Sequence, residues 1–262
     1  MRNTDAVKRF EPVSVLLIDD DNFLRHALGV SLGAYGYVVQ EAPSGEAGIQ
    51  AISQKPVDLV LLDVNMMGID GVETCRRIRA SRINAGILML TVSDDQDKII
   101  AALEAGADDY VTKPIRFGEL VARMHAVERR IRAETPFSMD ILRIGQLELD
   151  PKYRTLKKDG LEIRLSQTEF NLLAYFMRHP SVPVSHTKLL RAVWGAEYVR
   201  ELERLRTYCK LLRQKIEDDP AHPRYIVTER EFGYSLQDPT RSRTPEEVPH
   251  SRRDDSPMAP DE

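Results

Sequence analysis

Residues 57–71 read VDLVLLDVNMMGIDG. The stretch 57–62 is short and apolar on both faces, the pattern of a parallel strand covered on each side. It ends abruptly on Asp63, and after a loop containing Gly68 a helical pattern runs over Gly71–Ala80. Two other stretches share this grammar. Residues 15–18 end on Asp19, Asp20 and Asp21, and residues 87–90 end on Thr91, followed by Val92 and Ser93. Amphipathic stretches lie between and after them, at about 22–34, 44–54, 95–105 and 118–132, with a short strand around Tyr110. Strand and helix alternating in this way predict a doubly wound α/β parallel sheet.

In such a sheet the carboxyl ends of the strands converge on one edge. Asp19, Asp20, Asp63 and Thr91 are brought there, with Lys113-Pro114 after the fifth strand. A single aspartate behind a strand is usually a turn residue. Acid pair, acid, hydroxyl and lysine at successive strand ends form a more specific pattern. Carboxylates gathered so closely repel one another unless a cation sits among them, and hard oxygen ligands with room for water suit Mg2+. A neutralised carboxylate can then attack a phosphoryl group, with Thr91 and Lys113 meeting its oxygens.

The rest of the chain is written differently. Residues 133–140, AETPFSMD, lack periodicity and read as a linker between a domain at 1–132 and one at 141–238. Alternating segments at 141–149, 155–158 and 162–165 predict a small antiparallel sheet, followed by helices at 166–178, 185–194 and 201–217. Ser166 and Glu169 form a capping-box signature. Two strands, 225–228 and 233–236, finish the domain, an α+β arrangement. Residues 239–262 are proline-rich and charged, and are expected to be disordered.

In the third of those helices Leu205, Leu212 and Ile216 make an apolar stripe, while Arg206, Lys210 and Arg213 share another face. Such a helix can enter a major groove, although a solvated charged face has the same composition. Charge leans the same way: residues 1–132 carry 16 Lys/Arg against 19 Asp/Glu, and residues 141–238 carry 17 against 14. No run approaches the roughly 20 apolar residues of a membrane span. Cys75 and Cys209 fall in different domains, so a disulfide is not expected and a cytoplasmic location is.

LLIDDDN, LVLLDVNMMGIDG, ILMLTVSDD and GADDYVTKP resemble the CheY-like receiver domain over nearly all of 13–132. LSQTEFNLLAYF, LLRAVWG, LRTYCKLLRQKIE and YIVTEREFGYSL resemble the winged-helix effector of OmpR/PhoB response regulators over about 141–236. The wording at 192–195, 212–215 and 219–225 is most like the Kdp branch, which controls potassium uptake. The resemblance implies a phosphorylation-dependent transcription factor, not a classical enzyme. Asp63 is then the phosphoacceptor; Asp19, Asp20, Asp63 and the backbone carbonyl of Asn65 hold Mg2+, Asp19 through water. Thr91 and Tyr110 are the switch pair and Lys113 the phosphate contact.

By the same resemblance a sensor histidine kinase donates the phosphoryl group, and the phosphorylated chain forms a homodimer through Asp108, Asp109, Glu119, Arg123 and Arg130. Double-stranded DNA is met by Arg206, Thr207, Lys210 and Arg213 in the groove and by Arg230 in a wing. Residues 194–200 form a loop that contacts RNA polymerase. Four positions depart from the family pattern: Met67 for the usual proline, Val92 for a small residue, Ile99 for a basic one and Glu231 for the wing glycine. A haloacid-dehalogenase phosphatase also uses Asp, Thr and Lys, but its nucleophile lies on the first strand, whereas here the acid pair precedes Asp63. An RNA-binding antiterminator output would be a small helical bundle without the final hairpin.

Overall fold

The computed structural model describes residues 12–240 apart from 82, 84, 93–95 and 133–139. The linker expected at 133–140 therefore lies almost wholly outside the described residues, as does the tail beyond 240.

The first half is a five-stranded parallel sheet in the order β2-β1-β3-β4-β5, with β1 Ser14–Ile18, β2 Val38–Ala42, β3 Leu59–Asp63, β4 Gly86–Thr91 and β5 Asp109–Thr112. Helices α1 Asn22–Ala34, α2 Gly45–Gln54, α3 Gly71–Ala80, α4 Gln96–Glu104 and α5 Phe117–Arg132 alternate with the strands. The period-2 alternation of the strands divides their side chains between two cores. Val15, Leu17, Leu59, Leu61, Leu88, Leu90 and Val111 pack against α1 and α5 through Leu28, Leu32, Leu120, Met124 and Val127. Leu16, Ile18, Val60, Leu62, Ile87 and Met89 pack on the opposite face against α2, α3 and α4. The sequence pattern carried no separate signal for β2: among its residues only Ala42 is fully buried, and edge strands need no apolar run.

The second half opens with an antiparallel sheet, β6 Leu142–Ile144, β7 Leu147–Asp150, β8 Thr155–Lys158 and β9 Leu161–Ile163. The single alternating run expected at 141–149 is in fact two strands, because Gly145 turns the chain at φ 56°. Helices α6 Gln167–Met177, α7 His186–Val193 and α8 Leu202–Ile216 follow, with a 3-10 turn at Ala196–Tyr198 before α8. The capping box at Ser166 and Glu169 is formed. A second small sheet, β10-β12-β11, joins β10 Val184–Ser185, β11 Ile226–Glu229 and β12 Gly233–Leu236. β10 has only two residues, too few for periodicity to register.

The α2–α4 core of the first half runs on through Ala105, Ala107 and Ala126 into Phe170, Tyr208, Leu211 and Trp194 of the second. Cys75 and Cys209 are buried in separate halves, and burial pushes both thiols up to about 12. Among the described residues no helix is long and apolar enough to cross a membrane.

The hairpin β11–β12 closes through Glu231, which takes a left-handed φ of 59° in place of the glycine such turns favour. An unbranched L residue accepts this conformation at a cost of about 1–2 kcal/mol. Glu231→Gly, which also raises unfolded-chain entropy, is expected to stabilise the protein by about 0.5–1 kcal/mol net, visible as a higher thermal midpoint. A lowered midpoint would show that the glutamate makes a compensating contact.

Candidate phosphoacceptor site and its link to α8

β1, β3 and β5 deliver their terminal charges to one edge of the sheet. Single oxygens of Asp19, Asp20 and Asp63 lie within 4.8 Å of one another. Asp19 is fully buried and Asp63 nearly so, while Asp20 faces solvent. Lys113 Nζ reaches Asp63 Oδ1 at 2.8 Å and Asp19 Oδ2 at 3.0 Å. Burial holds the Asp63 carboxyl above its ordinary range against the pull of Lys113, and the charges of Asp19 and Asp20 add to the rise. Burial alone would push Lys113 down, but Asp63 and Asp19 outweigh it and hold the ammonium above its usual value.

One ammonium against three carboxylates leaves the edge negative. The donor set, three carboxylates with one open to water, fits a hard divalent cation. Asp21 is excluded from that set, because it caps α1 by accepting from Phe23 N at 2.9 Å and Leu24 N at 3.0 Å. Asn65 lies exposed in the loop leaving β3, in the same concavity as Asp20. The loop must also let α3 approach. A Cβ on Gly71 would lie 2.1 Å from the carbonyl oxygen of Asp63, so glycine is required there.

Met67 carries a contact that the sequence did not signal. Its backbone N–H donates to Asp20 Oδ2 at 2.9 Å, a bond that the usual proline cannot make. Thr91 is buried at the end of β4. Val92, which follows it, is largely exposed, so its bulk stands at the mouth of the edge rather than in the core.

Tyr110, the expected partner of Thr91, points toward the second half of the molecule. The Arg204 guanidinium of α8 stands 4.6 Å from its ring centroid, within cation–π range. Arg204 is buried and pairs with Asp109, and its Nε donates to Glu201 Oε2 at 2.7 Å. Tyr198 Oη donates to Asp109 Oδ2 at 2.6 Å. Arg123 lies 3.4 Å from both Asp109 and Glu201. Tyr208 Oη donates toward the carbonyls of Ala107 and Asp108, each at 3.1 Å. The face of α4, β5 and α5 is thereby tied to α8.

The residues expected at a dimer interface are thus engaged inside one chain. Asp108 is fully buried, bound by Arg79 at 2.7 Å and by the Ile87 N–H at 2.9 Å. Glu119 pairs with Arg123 one turn along α5, at 3.1 Å. The side chain of Arg130 lies outside the described residues. Arg204 stands among the basic residues of α8 yet turns inward. The signal was present, since Arg204, Tyr208 and Leu211 at i, i+4 and i+7 mark a second buried stripe.

Of the residues expected to meet DNA, Lys210 and Arg230 are exposed. Arg206 is exposed beside Glu203 at 2.5 Å. Thr207 donates to the Glu203 carbonyl at 2.9 Å and shares a cavity wall with Tyr110 and Ile99 of the first half. Arg213 is tied to the hairpin, donating to Ile226 O at 2.9 and 2.7 Å and to Thr228 Oγ1 at 2.8 Å.

The Met67 contact has a measurable consequence. Met67→Pro removes the N–H that orients Asp20 and is expected to weaken Mg2+ binding about three- to tenfold, whereas Met67→Ala retains it and leaves affinity unchanged. Calorimetric titration distinguishes them, and equal affinities would sever Met67 from the metal site.

Comparison with known proteins agrees with this geometry in both halves. Residues 15–125 match the response regulator receiver domain, and residues 160–236 match the C-terminal domain of transcriptional regulatory proteins. The transcriptional regulatory protein AfsQ1 of Streptomyces coelicolor is 40% identical over 226 residues, covering 86% of this chain and 99% of that protein. The regulator KdpE of Mycobacterium tuberculosis is 34% identical over 223 residues, covering 85% and 98%. A solved structure of a RitR mutant is 26% identical, covers 86% of this chain and 99% of its own, and superposes with a TM-score of 0.73. With a carboxylate edge on a parallel sheet, a basic helix beside a winged hairpin, and likeness spanning both, the chain belongs to the OmpR/PhoB-type two-component response regulators.

Proposed function

We propose that phosphorylation of Asp63 opens the seam between the two halves, so that the receiver dimerises and α8 reads specific sites in double-stranded DNA to regulate transcription. The observation that carries this reading is the position of Asp109. It adjoins Tyr110 on β5 and is bound by Arg204 of α8, so a movement of the switch tyrosine reaches the recognition helix in one step.

In the reaction, a carboxylate oxygen of Asp63 attacks phosphorus in a sensor kinase phosphohistidine. The P–N bond breaks, the imidazole leaves, and an acyl phosphate remains. Lys113 moves from carboxylate to phosphoryl oxygen, and the Thr91 hydroxyl meets another. Asp19, Asp20, Asp63 and the Asn65 carbonyl would hold Mg2+, which would supply the neutralising charge. Drawing Thr91 toward the phosphoryl group makes room for Tyr110 to turn inward, away from Arg204. Asp109 and Arg123 then exchange their partners within the chain for those of a second copy, with Asp108, Glu119 and Arg130 on the same face. Exposed pairs of this kind contribute only about 0–1 kcal/mol each and act mainly by setting register.

Released α8 presents Arg206, Thr207 and Lys210 to the major groove, Arg213 supports the hairpin, and Arg230 reaches the minor groove. Residues 194–200 are the proposed RNA polymerase contact. The proposed organisation is a receiver at 1–132, a linker at 133–140, a DNA-binding domain at 141–238 and a tail at 239–262, acting in the cytoplasm. Potassium-transport genes are proposed as targets on the strength of the Kdp-like wording and the KdpE relative. The higher identity to AfsQ1 makes selection of bound genomic fragments the deciding measurement.

Gel-shift titration with acetyl phosphate and Mg2+ is expected to show tighter binding to a selected site for wild type and no change for Asp63→Asn. Equal binding by both, with and without donor, would overturn the phosphorylation switch. Tyr198→Phe removes one hydrogen bond to the buried Asp109 carboxylate and so favours the open form. Without phosphodonor, its DNA affinity is expected to rise up to about tenfold. Unchanged affinity would mean that the seam does not restrain α8.

A further inference from the structure

A second cavity, away from both the carboxylate edge and the proposed DNA-reading face, has four arginines in a wall that is otherwise mostly apolar. It opens between α5 of the receiver and α6 and α7 of the effector, with a volume of about 190 Å3. Arg129 comes from α5, Arg154 from the β7–β8 turn, Arg178 from the end of α6 and Arg191 from α7. Asn171, Gln167 and Trp194 share the wall with apolar residues such as Phe170 and Val193, and no Asp or Glu is among its described lining residues. The cavity is far larger than the roughly 10–15 Å3 that one water requires.

Two observations mark it as more than a charged crevice. Trp194 is buried, yet its Nε1–H finds no acceptor among the described residues, a donor whose burial is costly unless something accepts from it. Arg154 is held at a left-handed φ of 52°, an unusual conformation for a long side chain. Its guanidinium is oriented by donating to Gln167 Oε1 at 2.6 Å, and that of Arg178 by donating to Ala174 O at 3.0 Å. Burial lowers the proton affinity of both arginines, a penalty that an anion in the cavity would offset. At the rim Arg129 pairs with Glu197 at 2.8 Å.

We propose that this cavity binds a small phosphate-bearing anion, of phosphate to pyrophosphate size, which bridges receiver and effector. Planar guanidinium forks match tetrahedral oxyanions through paired N–H donors, and the Asn171 amide adds a neutral donor. Because Arg129 belongs to one half and Arg154, Arg178 and Arg191 to the other, the bound anion favours the closed arrangement.

Trp194 is the chain's single tryptophan, so its emission reports on this wall. Full-length protein in EDTA buffer, to silence the carboxylate edge, is titrated with pyrophosphate and with inorganic phosphate at ionic strength fixed by KCl. Pyrophosphate is expected to give a saturable change complete by about 1 mM, with phosphate weaker and KCl without effect. Arg154→Gln and Arg178→Gln each weaken binding about tenfold or more, and Arg129→Gln weakens it from the receiver side. Arg191→Gln lies on an exposed position where folding is not at stake, and costs a few-fold. No saturable change, or one that all four variants leave intact, overturns the proposal; the latter places the anion elsewhere, as on the basic face of α8.

Discussion

Three carboxylates, two of them buried, and one ammonium share a sheet edge, and that charge imbalance organises the receiver. Lys113 lies at ion-pair distance from both Asp63 and Asp19, but its single charge cannot offset three. The remaining negative charge suits the site to a divalent cation, on which the proposed phosphorylation of Asp63 depends. Neighbouring details answer to the same constraint. Asp21 is withdrawn to cap α1, the Met67 N–H fixes Asp20 from the loop side, and Gly71 lets the start of α3 ride over the Asp63 carbonyl.

The path from this edge to α8, the helix proposed to read DNA, is short because β4 and β5 are neighbours. Thr91 ends one strand, Tyr110 lies on the next, and Asp109 beside it carries Arg204 of α8. A buried pair of this sort adds little net stability when intact, yet breaking it by removing one partner costs about 3–5 kcal/mol. Its contribution is therefore specificity: it defines one docked arrangement and makes departures from it discrete. The same Asp109 and Arg123 are the residues proposed to pair between subunits, so docking onto α8 and dimerisation compete for one surface. Tyr198, in the loop proposed to meet RNA polymerase, is drawn into that competition by its hydrogen bond to Asp109.

Much of the fold was legible because its signals are local. Apolar runs ending on Asp19, Asp63 and Thr91 announced β1, β3 and β4, and the Ser166–Glu169 capping box announced α6. β2 and β10 were not legible as separate strands, one being a largely exposed edge and the other two residues long. For the site, the types and order of Asp19, Asp20, Asp63 and Lys113 were enough to gather them at one edge, since strand ends in a parallel sheet have nowhere else to go. The contact of Met67 with Asp20 was hidden because it uses a backbone N–H, which every residue but proline possesses.

Sequence by itself determined which chemistry this protein can carry: an acidic strand-end cluster with its lysine, and a helix with basic residues on one face and apolar ones on another. Only the tertiary structure decided how those parts restrain each other. Arg204 reads like its basic neighbours along α8, and Asp109 like its neighbour Asp108; their burial against one another depends on two segments about a hundred residues apart meeting face to face. No periodicity within either segment encodes that meeting, because periodicity describes which face of an element is buried and not which partner buries it.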